Sequence, residues 1–210
     1  MIVIINPNST VSMTDAMIDT AKRAAPDSNV VGWTSTDGPP AIQGAADGEA
    51  AVPPLLKLVQ KANTVGAQAI IIGCFDDTGL DAARALSRCP VIGIGQAAYH
   101  MAALYGARFS VVTTLEVSVP VLAENVAAYG LEKNLVRIRA SGVPVLDLEN
   151  DRVNATRRVK SEIETALRED DVQSVVLGCA GMVHIVQDGA DIEAKLIDGV
   201  QAAVNFAKMF

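Results

Sequence analysis

Short apolar runs rich in β-branched residues recur along the chain, and each stops at a turn signal. Residues 2–5 stop at Asn6-Pro7-Asn8-Ser9-Thr10, 30–33 near Asp37-Gly38-Pro39-Pro40 and 69–72 at Gly73-Cys74. Residues 91–94 stop at Gly95, 109–112 at Thr113-Thr114, 136–139 at Ser141-Gly142 and 175–177 at Gly178-Cys179. Continuous rather than alternating runs suit strands buried on both faces. The segments between them, 13–24, 51–65, 79–86, 119–129 and 152–168, carry helical spacing. Leu55, Leu58, Val59 and Ala62, for example, form one stripe. Strands alternating with helices predict an α/β fold with parallel sheets.

The pattern also repeats. Cys74 and Cys179 lie 105 positions apart (179 less 74), half of the 210-residue length. Each follows a β-branched run and a glycine, at a similar interval from the opening strand of its half. This matched context predicts a duplication: two α/β lobes related by pseudo-symmetry and facing each other across a cleft. Lobe one is expected over 1–95 and lobe two over 96–191. A last helix over 192–210, carrying Leu196, Ile197, Val200 and Val204, is expected to pack back on lobe one.

Ligands of parallel α/β sheets bind beyond the carboxyl ends of the strands, where Cys74 and Cys179 both fall. Helices starting after those strands would aim N–H groups at the sulfurs and lower their pKa. Two thiols on opposite walls suit proton transfer through a planar carbanion. One thiolate removes a proton from a carbon acid, and the other thiol returns one to the opposite face. Loop N–H groups would stabilise the developing enolate. Taken singly, a cysteine in such a place is more often a small buried hydrophobe; the symmetric pairing raises the catalytic reading. Cys89, in SRCPVIG, precedes a strand and reads as structural.

Composition narrows the classes. Half of the residues are apolar and the net charge is −7, with basic residues scattered. That disfavours a nucleic-acid partner. The N-terminal MIVIINPNST lacks the basic region and apolar length of a leader, and no apolar run approaches a membrane span. A cytoplasmic protein is expected. Three cysteines form no evident disulfide framework. With no C-x-x-C, and with His100 and His184 poorly spaced from the cysteines, no metal site is expected.

Two features stay ambiguous in the sequence. Asp76 and Asp77, beside Thr78, read as a cap for the following helix with their carboxylates turned away from the thiol; the alternative is contact with substrate. Gly73 reads as room for a ligand to approach the backbone. PVIGIGQAA contains G-x-G-x-x-A between a strand and a helix, with Glu116 beyond it, which resembles a dinucleotide fingerprint. An NAD-dependent oxidoreductase is therefore a competing class. The other reading of Gly93 and Gly95 is a tight crossover into lobe two.

The motifs INPNSTVSMT, IIIGCFDDTGLDAAR, PVIGIGQAAYHMA, FSVVTTLEVSVP and VVLGCAGM together resemble the aspartate/glutamate/hydantoin racemase superfamily, and its hydantoin racemase branch most. The resemblance implies two flavodoxin-like lobes and a cofactor-independent two-base racemase, with Cys74 and Cys179 as the acid/base pair. It places Asn8, Gln43, Thr113 and Thr114 in pocket loops, and the N–H groups of Phe75, Asp76, Ala180 and Gly181 as cradles for substrate oxygens. It also implies a homo-oligomer acting on a small molecule. The CFD and CAG contexts differ from the CNT and CTH of glutamate racemase-like members. That favours a neutral ring, such as a hydantoin or allantoin, over an amino acid with a free carboxylate. Gln96 stands where many hydantoin racemases have Glu, and His184 is too far from Cys179 to inherit a catalytic role. An aspartate/glutamate-type racemase and a non-catalytic binding protein remain alternatives.

Overall fold

A computed structural model describes residues 1–185 and 195–210. The first half runs β1 (Ile2–Asn6), α1 (Val11–Ala24), β2 (Val30–Thr34), α2 (Ala45–Thr64), β3 (Ala69–Ile72), α3 (Leu80–Leu86), β4 (Val91–Gly93) and α4 (Ile94–Tyr105). The second runs β5 (Phe109–Thr113), α5 (Val119–Ala128), β6 (Leu135–Ala140), α6 (Asp147–Asn150), α7 (Arg152–Glu169), β7 (Ser174–Leu177), β8 (Lys195–Asp198) and α8 (Gly199–Ala207). Each half forms a four-stranded parallel sheet, ordered β2-β1-β3-β4 and β6-β5-β7-β8. The identical order is the architectural form of the repeat seen in the sequence.

The continuous apolar runs are explained by burial on both faces. In β1, Ile2 and Ile4 face a central core while Val3 and Ile5 face an outer one. In β3, Ala69 and Ile71 face the centre while Ile70 and Ile72 face outward. The second sheet repeats this, with Val111 and Val176 central and Val112, Val175 and Leu177 outward. The central core is shared by both sheets. It takes in Met17 of α1, Tyr99 of α4, Leu122 of α5 and Val204 of α8.

One expectation is corrected. Residues 192–210 are not a single helix: 192–194 lie outside the described residues, and Lys195–Asp198 is a strand paired with β7. Leu196, Ile197 and Asp198 are all buried, as a sheet strand requires. Helical spacing cannot exclude so short a run. The helix starts at Gly199, where the Asp198 carboxylate accepts a 2.8 Å bond from the Gln201 N–H. It packs on α1 and α4. α4 begins at Ile94, so position 95/96 falls in its first turn, and the second sheet extends past 191 through β8.

Gly73 N–H donates to the Ile5 carbonyl and Gly178 N–H to the Val112 carbonyl, each at 2.8 Å. Both Gly-Cys steps therefore leave the sheet at equivalent points. A methyl on Gly73 would lie 2.7 Å from the Met17 sulfur, and one on Gly178 would lie 3.0 Å from Thr113. At Gly73 the missing side chain makes room for α1 packing, and the residue also lines the cavity that holds Cys74. No described helix is long and apolar enough to cross a membrane.

Candidate active site

Cys74 and Cys179 are free, half-buried thiols that line one narrow cavity of about 30 Å³. Asn8, Asp76, Thr114 and Ser118 line it with them. Each wall comes from the carboxyl end of a strand in a different half, so the fold brings together residues 105 positions apart. Met13, Ala41 and Val145 form a small apolar cluster against Cys179. A larger groove, of about 490 Å³, lies elsewhere, between Ile92, His100 and Leu104 of the α4 region and Phe206 and Phe210 at the C-terminal end. It is nearly all apolar and holds neither thiol, so the chemistry belongs to the smaller cavity.

Both thiols are held protonated. Burial, then the Asp76 charge, pushes the Cys74 thiol far up. A 3.4 Å bond from the Thr78 hydroxyl and one from the Asp76 N–H oppose this without cancelling it. Burial pushes Cys179 up to about 12, opposed by the Gly181 N–H and reinforced by Asp76 and Glu149. The expectation of lowered thiol pKa values is therefore overturned. No helix begins at either cysteine: a turn follows Cys74 and α3 starts only at Leu80, while Cys179 leads into the short 3-10 turn Ala180–Met182. What survives of the expected backbone cradle is symmetric, because each sulfur is met by the N–H two residues on. A buried thiolate formed here would be scarce and correspondingly basic.

The two aspartates do not cap α3, whose N-cap is Gly79 with no side-chain bond. Asp77 sits at φ 51°, in the left-handed region. Its buried carboxylate caps α4 instead, accepting from the N–H of Gly95 at 3.0 Å and of Gln96 at 2.7 Å. It also accepts from the Tyr129 hydroxyl. A methyl on Gly93 would overlap its Oδ1, and one on Gly95 would overlap the Phe75 carbonyl. The glycines of the G-x-G-x-x-A stretch thus accommodate the Cys74 loop. The helix N-terminus that a dinucleotide phosphate would use is filled by an internal carboxylate.

Asp76 does not turn away from the thiols, contrary to expectation. It lines the cavity, and its charge raises both cysteines. Burial lifts its own pKa to about 6. Among the described residues, no hydrogen-bond donor or cation meets its carboxylate. Its backbone carbonyl accepts from Asn125 Nδ2 at 2.9 Å, so α5 and the residue after it hold this loop at two points.

The other expected positions divide. Asn8, Phe75, Thr114, Ala180 and Gly181 line the cavity. The Asn8 Oδ1 is committed to the Asn6 amide and the Thr10 N–H, while its Nδ2 has the Met13 thioether sulfur at 3.5 Å. That amide and the hydroxyls of Thr114 and Ser118 are the side-chain donors of the lining placed to meet a ligand. Gln43 and Thr113 lie outside the lining. The Gln43 Oε1 accepts from the Val145 N–H at 2.8 Å, tying the β2 loop to the β6 loop across the cleft. The Thr113 hydroxyl donates to the Gly178 carbonyl. Thr78, Ile42, Ser118 and Val145 also belong to the site. Thr78 and Ser118 fall inside the motifs IIIGCFDDTGLDAAR and FSVVTTLEVSVP, though neither is singled out there; Ile42 and Val145 fall in none. His184 is buried against Thr156. Cys89 packs in the outer core of the first sheet, as expected. The described residues contain no cluster of His, Cys, Asp or Glu able to hold a metal.

The Asp/Glu/Hydantoin racemase family model matches residues 2–207. A hydantoin racemase from Rhizobium meliloti is 43% identical over 98% of this chain and 86% of its own length. A hydantoin racemase from Pseudomonas sp. (strain NS671) is 35% identical over 98% of this chain and 83% of its own. Among solved structures, the allantoin racemase from Klebsiella pneumoniae superposes with a TM-score of 0.96 at 34% identity, covering 99% of this chain and 86% of that one.

Proposed function

The chain belongs to the Asp/Glu/Hydantoin racemase family, and on that premise we propose that it racemises 5-substituted hydantoins or a closely related cyclic ureide such as allantoin, using Cys74 and Cys179 as its two acid/base groups. The observation that carries this reading is the meeting of two thiols from mirrored strand ends in one cavity. The hydrogen at C5 is acidified by the adjacent ring carbonyl. One thiolate removes it, and the electron pair moves into the enolate. The opposite thiol then protonates C5 on the other face, so the two sulfurs exchange protonation states in each turnover. The Asn8 amide is the candidate donor to a ring carbonyl. The 30 Å³ cavity holds roughly a single water, so ring binding requires the walls to part. No step of this scheme calls on a cofactor.

Single enantiomers of a 5-substituted hydantoin and of allantoin, incubated in deuterated water, test the reading. Optical rotation should decay to zero while deuterium enters at the stereocentre. Cys74→Ser and Cys179→Ser should each abolish racemisation. Normal racemisation by either variant would overturn the paired scheme. Turnover of aspartate or glutamate in place of the ureides would move the substrate to the amino-acid branch.

A further inference from the structure

We infer that the Asp76 side chain is a specificity-determining residue: its carboxylate accepts a hydrogen bond from a substrate N–H next to the stereocentre and excludes substrates that carry a free carboxylate. The inference rests on the racemase reading above and adds to it which chemistry the cavity selects.

Three observations converge on this residue. Asp76 lines the cavity between the two cysteines and raises both thiols by its charge. No donor or cation among the described residues meets its carboxylate, although its neighbour Asp77 has three donors. Asp76 is half-buried, and burial already disfavours its charge; a ligand filling the cavity displaces water from the carboxylate, which costs free energy unless that ligand supplies a donor. Among the described residues, the cavity lining contains no Lys, Arg or His. The N–H groups of Asp76 and Gly181 already serve the sulfurs. A substrate carboxylate would therefore meet no cation from that lining and one like charge. A cyclic ureide is neutral and carries N–H groups beside its stereocentre, so it meets both conditions.

The carboxylate has to be ionised to accept well, and its pKa of about 6 sets the range. The titratable groups around it are Cys74 and Cys179, both raised, and Asp77, raised to about 7. Behind the loop stand Tyr99 and Tyr129, held protonated by burial, and across the cavity Glu149 acts on Cys179. Asp77 remains in an Asp76 variant, so a pH effect that vanishes with Asp76 belongs to Asp76.

The test compares wild type, Asp76→Asn and Asp76→Ala. Substrates are one enantiomer of a 5-substituted hydantoin and its ring-opened N-carbamoyl amino acid, which keeps the same side chain but carries a carboxylate. Wild type should racemise the ring and ignore the acid. Both variants should raise KM for the ring about tenfold or more, narrow the discrimination against the acid, and keep the wild-type thermal midpoint to within a few degrees. In wild type, KM should rise as pH falls through about 6; in the variants it should not. An unchanged KM with the wild-type pH profile would overturn the inference, as would a loss confined to kcat, which would mean that Asp76 acts only on the thiols. Failure of wild type to racemise any ureide would instead overturn the functional reading, and this inference with it.

Discussion

Asp77, on the loop that carries Cys74, accepts a 2.8 Å hydrogen bond from the hydroxyl of Tyr129, fifty-two residues further along the chain at the end of α5. The same carboxylate accepts from the Gly95 and Gln96 N–H groups in the first turn of α4. A residue of the first half thus fixes the start of the helix that leads into the second. The second half in turn holds the loop of the first cysteine. Asp77 is a positioning residue: it touches the loop, not the cavity.

Tyr129→Phe removes one bond to a buried carboxylate, and such bonds contribute about 1.5–3 kcal/mol. Unfolding in urea should show a loss toward the lower end of that range, because Tyr129 is only half-buried. Racemisation should slow by about tenfold through kcat with KM little changed, since a loosened loop misplaces the sulfur more than it alters binding. An equal loss of stability with unchanged kcat would reduce Tyr129 to a packing residue.

Gly93→Ala drives a methyl into the Asp77 carboxylate. The carboxylate must leave its three donors or β4 must shift, at a cost of roughly 3 kcal/mol or more. A methyl on Gly48, inside α2, would meet nothing within 4 Å. Gly48→Ala should therefore stabilise the fold by about 0.5–1 kcal/mol. Chemical denaturation of the two variants should move the midpoint in opposite directions.

Thr78→Val deletes the hydroxyl that donates to the Cys74 sulfur while keeping the side chain's shape. The Cys74 thiolate becomes harder to form, and kcat/KM should fall about tenfold. A substrate with one stereocentre has an equilibrium constant of one between its enantiomers. The loss in kcat/KM must then be equal in both directions, even though only one sulfur is altered. Progress curves from each pure enantiomer test this; no change in either would remove Thr78 from the site.

Stability should carry two opposite pH dependences. Asp76 and Asp77 have folded-state pKa values raised to about 6 and about 7. From about pH 4 to about pH 7 the folded chain thus binds more protons than the unfolded one, and stability contributed by these groups falls as pH rises. Asp170 is the reverse. The Arg139 guanidinium holds its carboxyl below the usual range, so its contribution is complete above about pH 4 and is lost in stronger acid. Thermal midpoints across about pH 3 to 8 should show the descending limb flattened in Asp77→Asn. A limb unchanged in that variant would assign it to other groups.

Much of the site is legible because strand ends are legible. A β-branched run that stops at Gly-Cys places the cysteine at the carboxyl edge of a buried strand, and two such stops at matched spacing imply two equivalent edges. The loops after β2 and β6 carry no comparable signal: Ile42 and Val145 read as ordinary apolar residues between prolines and glycines. Gln43 and Thr113 do lie in loops, but which way a polar side chain turns depends on partners such as Val145 and Gly178. β8 escapes a reading of the pattern because four residues satisfy helical and strand spacing alike.

The sequence by itself determined the parallel α/β class, the duplication, the place of two cysteines at matching strand ends and the family, since each is written in local patterns of burial or in motifs a few residues long. Tertiary structure alone decided the electrostatics. Whether a thiol is raised or lowered depends on how deeply packing withdraws it from water and on which charges the fold brings near. Likewise, only the fold could separate two adjacent aspartates. It sends Asp77 into the N-terminus of α4 and leaves Asp76 beside both sulfurs, with no donor among the described residues.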